Sequence, residues 1–166
     1  MMYSKTAVAP AGLPVRPGAQ PSVTDGVPHI QLDQTSDADV FRRLVDLAFS
    51  DERVTQAPSR ASLPGALALT VTPGGTARDE AMIVGREFGH IHRQPGAGSL
   101  HLRLPVRDAA DVVDRGWGEP HPFALSGSAP GMVLVYAPRS GADLEVVGAI
   151  VGSAIDYATS RGTPVK

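Results

Sequence analysis

The sequence predicts an α+β fold, and two observations carry that expectation. Three successive short segments alternate apolar and polar residues and are joined by turn residues, which is the pattern of antiparallel strands. A further apolar strand and a long helix with an apolar stripe close the chain, so the helices have one sheet face to cover. The expected order is α-β-β-β-α-β-α, with a sheet of about four strands and helices on one face. A nucleotide-binding α/β fold would need strands and helices to alternate throughout. No GxGxxG follows a strand, and no GxxxxGK[ST] is present.

Taken in order, the first helix signal is Thr35-Ser36-Asp37, where Ser36 or Asp37 can cap. Val40, Phe41, Leu44, Val45 and Ala48 then recur at helical spacing, predicting a helix over about 37–49. Gly65 to Thr72 alternates, with Leu67, Leu69 and Val71 on one face, and stops at Pro73-Gly74-Gly75. Ala81 to His92 is a second extended stretch, interrupted by Gly85 and Gly89. After the turn 93–98, Ser99 to Leu104 is a third strand with Leu100, Leu102 and Leu104 aligned. Asp108 is expected to cap a short helix ending at Gly116. Met132 to Tyr136 reads as a buried strand ended by Pro138. Asp143 to about Ser160 reads as a helix with Leu144, Val147, Ile150, Val151, Ala154, Ile155 and Ala158 inward. Gly148 and Gly152 lie on a neighbouring strip, where they permit close packing.

The chain of 166 residues suits one domain with a core of its own. We divide it into a proline-rich arm, 1–28, either disordered or packed on the domain, and a single domain, 29–166. Five prolines fall in that arm. Cysteine is absent, which excludes disulfides, thiolate metal sites and a cysteine nucleophile. The net charge of −2 gives no footprint for nucleic acid or an anionic membrane. No apolar run is long enough to span a bilayer, so a cytoplasmic protein is expected.

Four of the five histidines, His90, His92, His101 and His121, fall within one short stretch. Side chains alternate faces along a strand, so His90 and His92 share one face and Ile91 takes the other. Closing the hairpin around Gln94–Ala97 sets His90 opposite His101, His92 opposite Ser99, and Ile91 opposite Leu100. Directly opposed Cβ atoms lie about 5 Å apart. Three histidines and a serine therefore form a polar patch on one hairpin face. Three readings are open: a hydrogen-bonded polar face, a divalent metal site with His90, His92 and His101 as ligands, and acid–base chemistry by neutral imidazoles. The segment Gly116-Trp117-Gly118-Glu119-Pro120-His121-Pro122 adds an indole, a carboxylate and the fourth histidine; it is either a site wall or a lid on the core. Arg139, after Tyr136-Ala137-Pro138, can bind an anion or pair with Asp143 or Glu145.

Together these segments resemble the luciferase-like domain family, whose best-known members are fungal luciferases. The matching residues are Gly89-His90-Ile91-His92, Ser99-Leu100-His101-Leu102, Gly116-Trp117-Gly118, His121-Pro122 and Tyr136-Ala137-Pro138-Arg139. Within and just after the arm they are Arg16-Pro17-Gly18-Ala19-Gln20-Pro21 and Pro28-His29-Ile30-Gln31-Leu32. The resemblance runs from about Pro14 to Ala158 and implies that the arm packs on the domain.

It also implies oxygen chemistry: fungal luciferases oxidise a hydroxylated hispidin, a polyphenolic α-pyrone, with molecular oxygen through a peroxide, with loss of CO2 and emission of light. No cofactor is expected on this reading; the rival readings are a His-ligated metalloenzyme and a non-catalytic module that binds small aromatics. The resemblance puts His90, His92, His101 and His121 at the catalytic positions, and Ser99, Trp117, Glu119, Tyr136 and Arg139 around an aromatic substrate. The roles given to them are base and anion binder for His90, His92 and His101, second proton donor or acceptor for His121, stacking wall for Trp117 and anion anchor for Arg139. Glu119-Pro120 departs from the light-emitting members, and the hairpin turn is glycine-rich. With no N-terminal hydrophobic segment and 13 Arg against 2 Lys, the chain is expected to be a shorter, soluble, bacterial-type relative.

Overall fold

The computed structural model describes residues 12–160, so the first part of the arm lies outside the described residues. Six strands form one antiparallel sheet: β1 (Val54–Pro58), β2 (Leu67–Val71), β3 (Glu87–Ile91), β4 (Leu100–Arg103), β5 (Gly118–Pro120) and β6 (Met132–Val135), in the order β1-β2-β3-β4-β6-β5. The helices are α1 (Ala38–Ala48), α2 (Val106–Asp114), the short α3 (Pro122–Leu125) and α4 (Gly141–Thr159). The α+β class holds, and the sheet has two strands more than expected. Both additions are edge strands. β1 carries Pro58 and β5 carries Gly118 and Pro120. Proline is tolerated at an edge because no further strand needs its missing N–H. The same residues broke the alternation that would have marked these segments as strands.

Asp37 caps α1 by accepting from the Val40 N–H at 2.8 Å, and Val40, Leu44 and Ala48 form its buried stripe. Ser140 caps α4, which begins two residues before the expected start. The inward set expected for α4, Leu144 to Ala158, is buried throughout. Gly148 is the crossing point with α1: a Cβ there would lie 2.9 Å from Leu47 Cδ1, whereas Gly152 faces open space. The cap expected at Asp108 is corrected. α2 starts at Val106 behind Pro105, and Asp108 sits in its first turn, where its carboxylate accepts from Ser153 on α4 at 3.1 Å.

Alternation along the strands sorts the sheet into two faces. Leu67, Leu69, Val71, Ile91, Leu100, Leu102, Val133 and Val135 join the residues of α1, α2 and α4 in one apolar core. α4 packs on β3 and β4, α2 on β5 and β6, and α1 on α4. The opposite face carries His90 and His101, and residues from the arm lie against it. Contacts that fix the arm and the segment after it include Trp117 Nε1 donating to Pro14 O at 2.6 Å, Arg16 N to Arg115 O at 2.9 Å, Arg139 Nη1 to Pro17 O at 3.0 Å, Gln20 Nε2 to Tyr136 Oη at 3.0 Å, and Ala137 N to Gln31 Oε1 at 2.9 Å. No helix among the described residues is long and apolar enough to cross a membrane.

Candidate functional site

The hairpin register expected from the turn is the one observed: His90 pairs with His101 and Ile91 with Leu100. Beyond the strand ends, His92 N donates to Ser99 O at 2.9 Å, which continues the same register. His101 is the hub. Its ring lies 5.1 Å from that of His90, 4.6 Å from His92, 4.7 Å from His121 and 5.4 Å from His29, centroid to centroid. All five imidazoles of the chain thus meet in one cluster, each 1–5% exposed.

Hydrogen bonds string three of these rings between two carboxylates. Glu87 Oε2 meets His90 Nδ1 at 2.8 Å; His90 Nε2 meets His101 Nδ1 at 3.0 Å; His101 Nε2 meets His29 Nδ1 at 3.3 Å; His29 Nε2 meets Glu119 Oε2 at 3.4 Å. The other two rings have tautomers fixed by their neighbours. Ser99 donates its hydroxyl to Gly96 O at 2.7 Å, so it can only accept from His92 Nδ1 at 2.9 Å. The Nε2 of neutral His92 is therefore a lone pair. His121 Nδ1 accepts from Phe123 N at 3.0 Å, capping α3, so the proton of a neutral His121 is on Nε2.

Burial, reinforced by the neighbouring His90, pushes His92 down to about 3. Burial, with His29 and His90 adding to it, pushes His121 down to about 4. Burial and the four surrounding rings hold His101 well below the ordinary imidazole value. For Glu87, burial works to raise the carboxyl, but hydrogen bonds from His90, the Arg60 N–H and Ser59 outweigh it and hold it below its usual range. Tyr136 is pushed up to about 12 by burial and by Glu119, whose Oε1 accepts the phenol proton at 3.1 Å.

His90, His92, His101, His121 and Ser99 are brought together, and Glu119 and Tyr136 close one end of the cluster. Trp117 and Arg139 both have their polar groups engaged elsewhere. Trp117 is 2% exposed within the apolar core, with its N–H bonded to Pro14 O. Arg139 holds both oxygens of Asp143, at 2.6 and 3.2 Å, which is the pairing the sequence offered beside anion binding.

Two site residues were missed. His29 sits on the segment that folds back over the sheet; its only sequence signal is its place in the Pro28–Leu32 match. Glu87 should lie on the core face by strict alternation with His90. A register shift moves it: Leu69 pairs with Gly89, but Thr70 pairs with Glu87, skipping Phe88. This bulge turns Phe88 into the core and Glu87 toward the imidazoles.

The Luciferase domain family profile matches residues 85–154, a span that contains β3, β4 and four of the five histidines. This chain carries a domain of the luciferase-like family. A luciferase from Neonothopanus nambi is 30% identical over 169 residues, covering 90% of this chain and 62% of that protein. Luciferases from Armillaria gallica and Armillaria mellea are each 39% identical over 79 residues, covering 45% of this chain and 29% of theirs. The chain thus spans less than two thirds of the length of these relatives, all of which are fungal. No solved structure matches it.

Proposed function

We propose that this luciferase-like domain is an oxygenase that uses molecular oxygen on an electron-rich phenolic or pyrone-type small molecule. The observation that carries the reading is the buried cluster of imidazoles, with an acceptor at His92 Nε2 and a donor at His121 Nε2, in a domain shared with proteins named luciferase. In this scheme an acidic ring hydroxyl gives its proton to the lone pair of His92. The resulting imidazolium lies beside the anion it has created, and their attraction in a buried site offsets the burial that depresses the ring. The electron-rich anion then reduces oxygen by two electrons, in two single-electron steps, and one carbon–oxygen bond forms. The negative charge ends on the distal peroxide oxygen. His121 Nε2–H donates to that oxygen and stabilises it. Substrate and oxygen give a hydroperoxide, and no other reductant is consumed.

The rings are almost fully covered, so a substrate meets them only when the segment around His29 or the start of α3 moves aside. The test is oxygen uptake with hydroxyhispidin and related polyphenols. Uptake is expected with the wild type and should fall by at least about tenfold in His92→Gln, in line with loss of a general base. Absence of uptake across that series, or unchanged rates in His92→Gln and His121→Gln, overturns the reading.

A further inference from the structure

The imidazole chain sets ring nitrogens of neighbouring histidines against one another. Its four links run from Glu87 through His90, His101 and His29 to Glu119. Both chain ends are carboxylates, which only accept. His90 therefore turns its Nδ1–H to Glu87 and its Nε2 inward, and His29 turns its Nε2–H to Glu119 and its Nδ1 to His101 Nε2. Between them, His90 Nε2 and His101 Nδ1 face each other 3.0 Å apart. His92 Nε2, already fixed as a lone pair by Ser99, completes the set. Ligand atoms of His90, His92 and His101 all lie within 4.8 Å of one another.

We propose that the point where these three ring nitrogens converge is a divalent cation site, with His90 Nε2, His92 Nε2 and His101 Nδ1 as its ligands. The two positive charges of the cation balance the carboxylates of Glu87 and Glu119. The surroundings fit the rule that a metal-bound imidazole donates its other N–H to a fixed acceptor: His90 to Glu87, His92 to the Ser99 hydroxyl, and His101 through His29 to Glu119. An all-imidazole set suits zinc, iron, copper or nickel rather than magnesium or calcium. The second group of three within reach, His29, His101 and His121, fails the same test. His121 Nδ1 accepts a backbone N–H, which leaves the proton on the nitrogen that would have to ligate. The inference goes beyond the oxygenase reading and does not rest on it. A bound cation and a substrate proton use the same lone pair of His92, so metal content also decides whether that ring is free to act as a base.

Tag-free protein, purified without added metal or chelator, is assayed for metal per chain; chelator-treated protein is then titrated with zinc and with cobalt(II). About one equivalent per chain is expected, with cobalt(II) showing visible ligand-field bands of nitrogen ligation. Ser99→Ala, which removes only the orienting partner, should weaken binding by about 10–100-fold. His92→Gln should weaken it further, while His121→Gln keeps the full stoichiometry, with circular dichroism confirming that each variant folds. Folded wild type that binds neither ion overturns the proposal. So does binding lost in His121→Gln but kept in His92→Gln. Because the readouts are metal content and a spectrum, failure of oxygen uptake leaves this result standing, and the reverse holds too.

Discussion

Leu102 and His101 are neighbours on β4 and point to opposite faces of one sheet. Leu102 is fully buried among Leu, Val and Ile side chains held down by α2 and α4. His101 is also buried, but among four other imidazoles under the segment that carries His29. Side chains on the first face are interchangeable in kind and are held by the area they remove from water. On the second face most ring nitrogens have one specific partner, and the location of each proton matters. The comparison teaches that burial alone does not define a core. One face stores stability in volume, the other in protonation state.

The largest separation between the faces should come from acid. His92, His101 and His121 all have folded-state values below that of a free imidazole. The unfolded chain therefore binds more protons once the pH drops below about 6.5, and acid favours unfolding. The contribution of these rings is fully present above that value and is lost as the pH falls, until it passes the folded values of about 4 for His121 and about 3 for His92. Between pH 7 and 5 the loss should be about 2 kcal/mol for each ring that stays neutral when folded, read as a falling midpoint in urea on metal-free protein. Flat stability across that range would mean the rings are not held neutral.

Next in size within the apolar face, Leu102→Ala should cost about 2–5 kcal/mol, and by the same amount at pH 5 as at pH 8. A cost that changed with pH would show that the two faces are coupled through β4. The smallest and sharpest test is Glu87→Gln, which keeps the shape but removes the charge at the end of the imidazole chain. It should cost about 1.5–3 kcal/mol at neutral pH. The nitrogen chemical shifts of His90 should report a changed tautomer balance, while resonances of the apolar face stay in place.

The two faces also differed in how far the sequence announced them. Alternation at Leu100, Leu102 and Leu104 and the stripe of α4 were readable, because a core face repeats with the period of its element. The pairing of His90 with His101 was readable too, because the turn closing at Gln94–Ala97 leaves one register that keeps Ile91 and Leu100 together. Glu87 was not, since a single skipped residue at Phe88 reverses the parity on which the reading depends. His29 was not, since its position follows from a fold-back fixed by distant partners such as Gln31 on Ala137. Trp117 and Arg139 stood in the right segment for a site wall, but Pro14 and Asp143 claimed their polar groups.

The contact between Trp117 and Pro14 has a practical side. The chain has one tryptophan, and its indole N–H is bonded to the stretch that leads into the cover over the imidazoles, while the ring itself stays in the core. Its emission colour depends on whether water reaches that N–H, and no other indole contributes. The protein carries a built-in optical gauge of whether its N-terminal wrapping is seated, readable in ordinary buffer with neither label nor substrate.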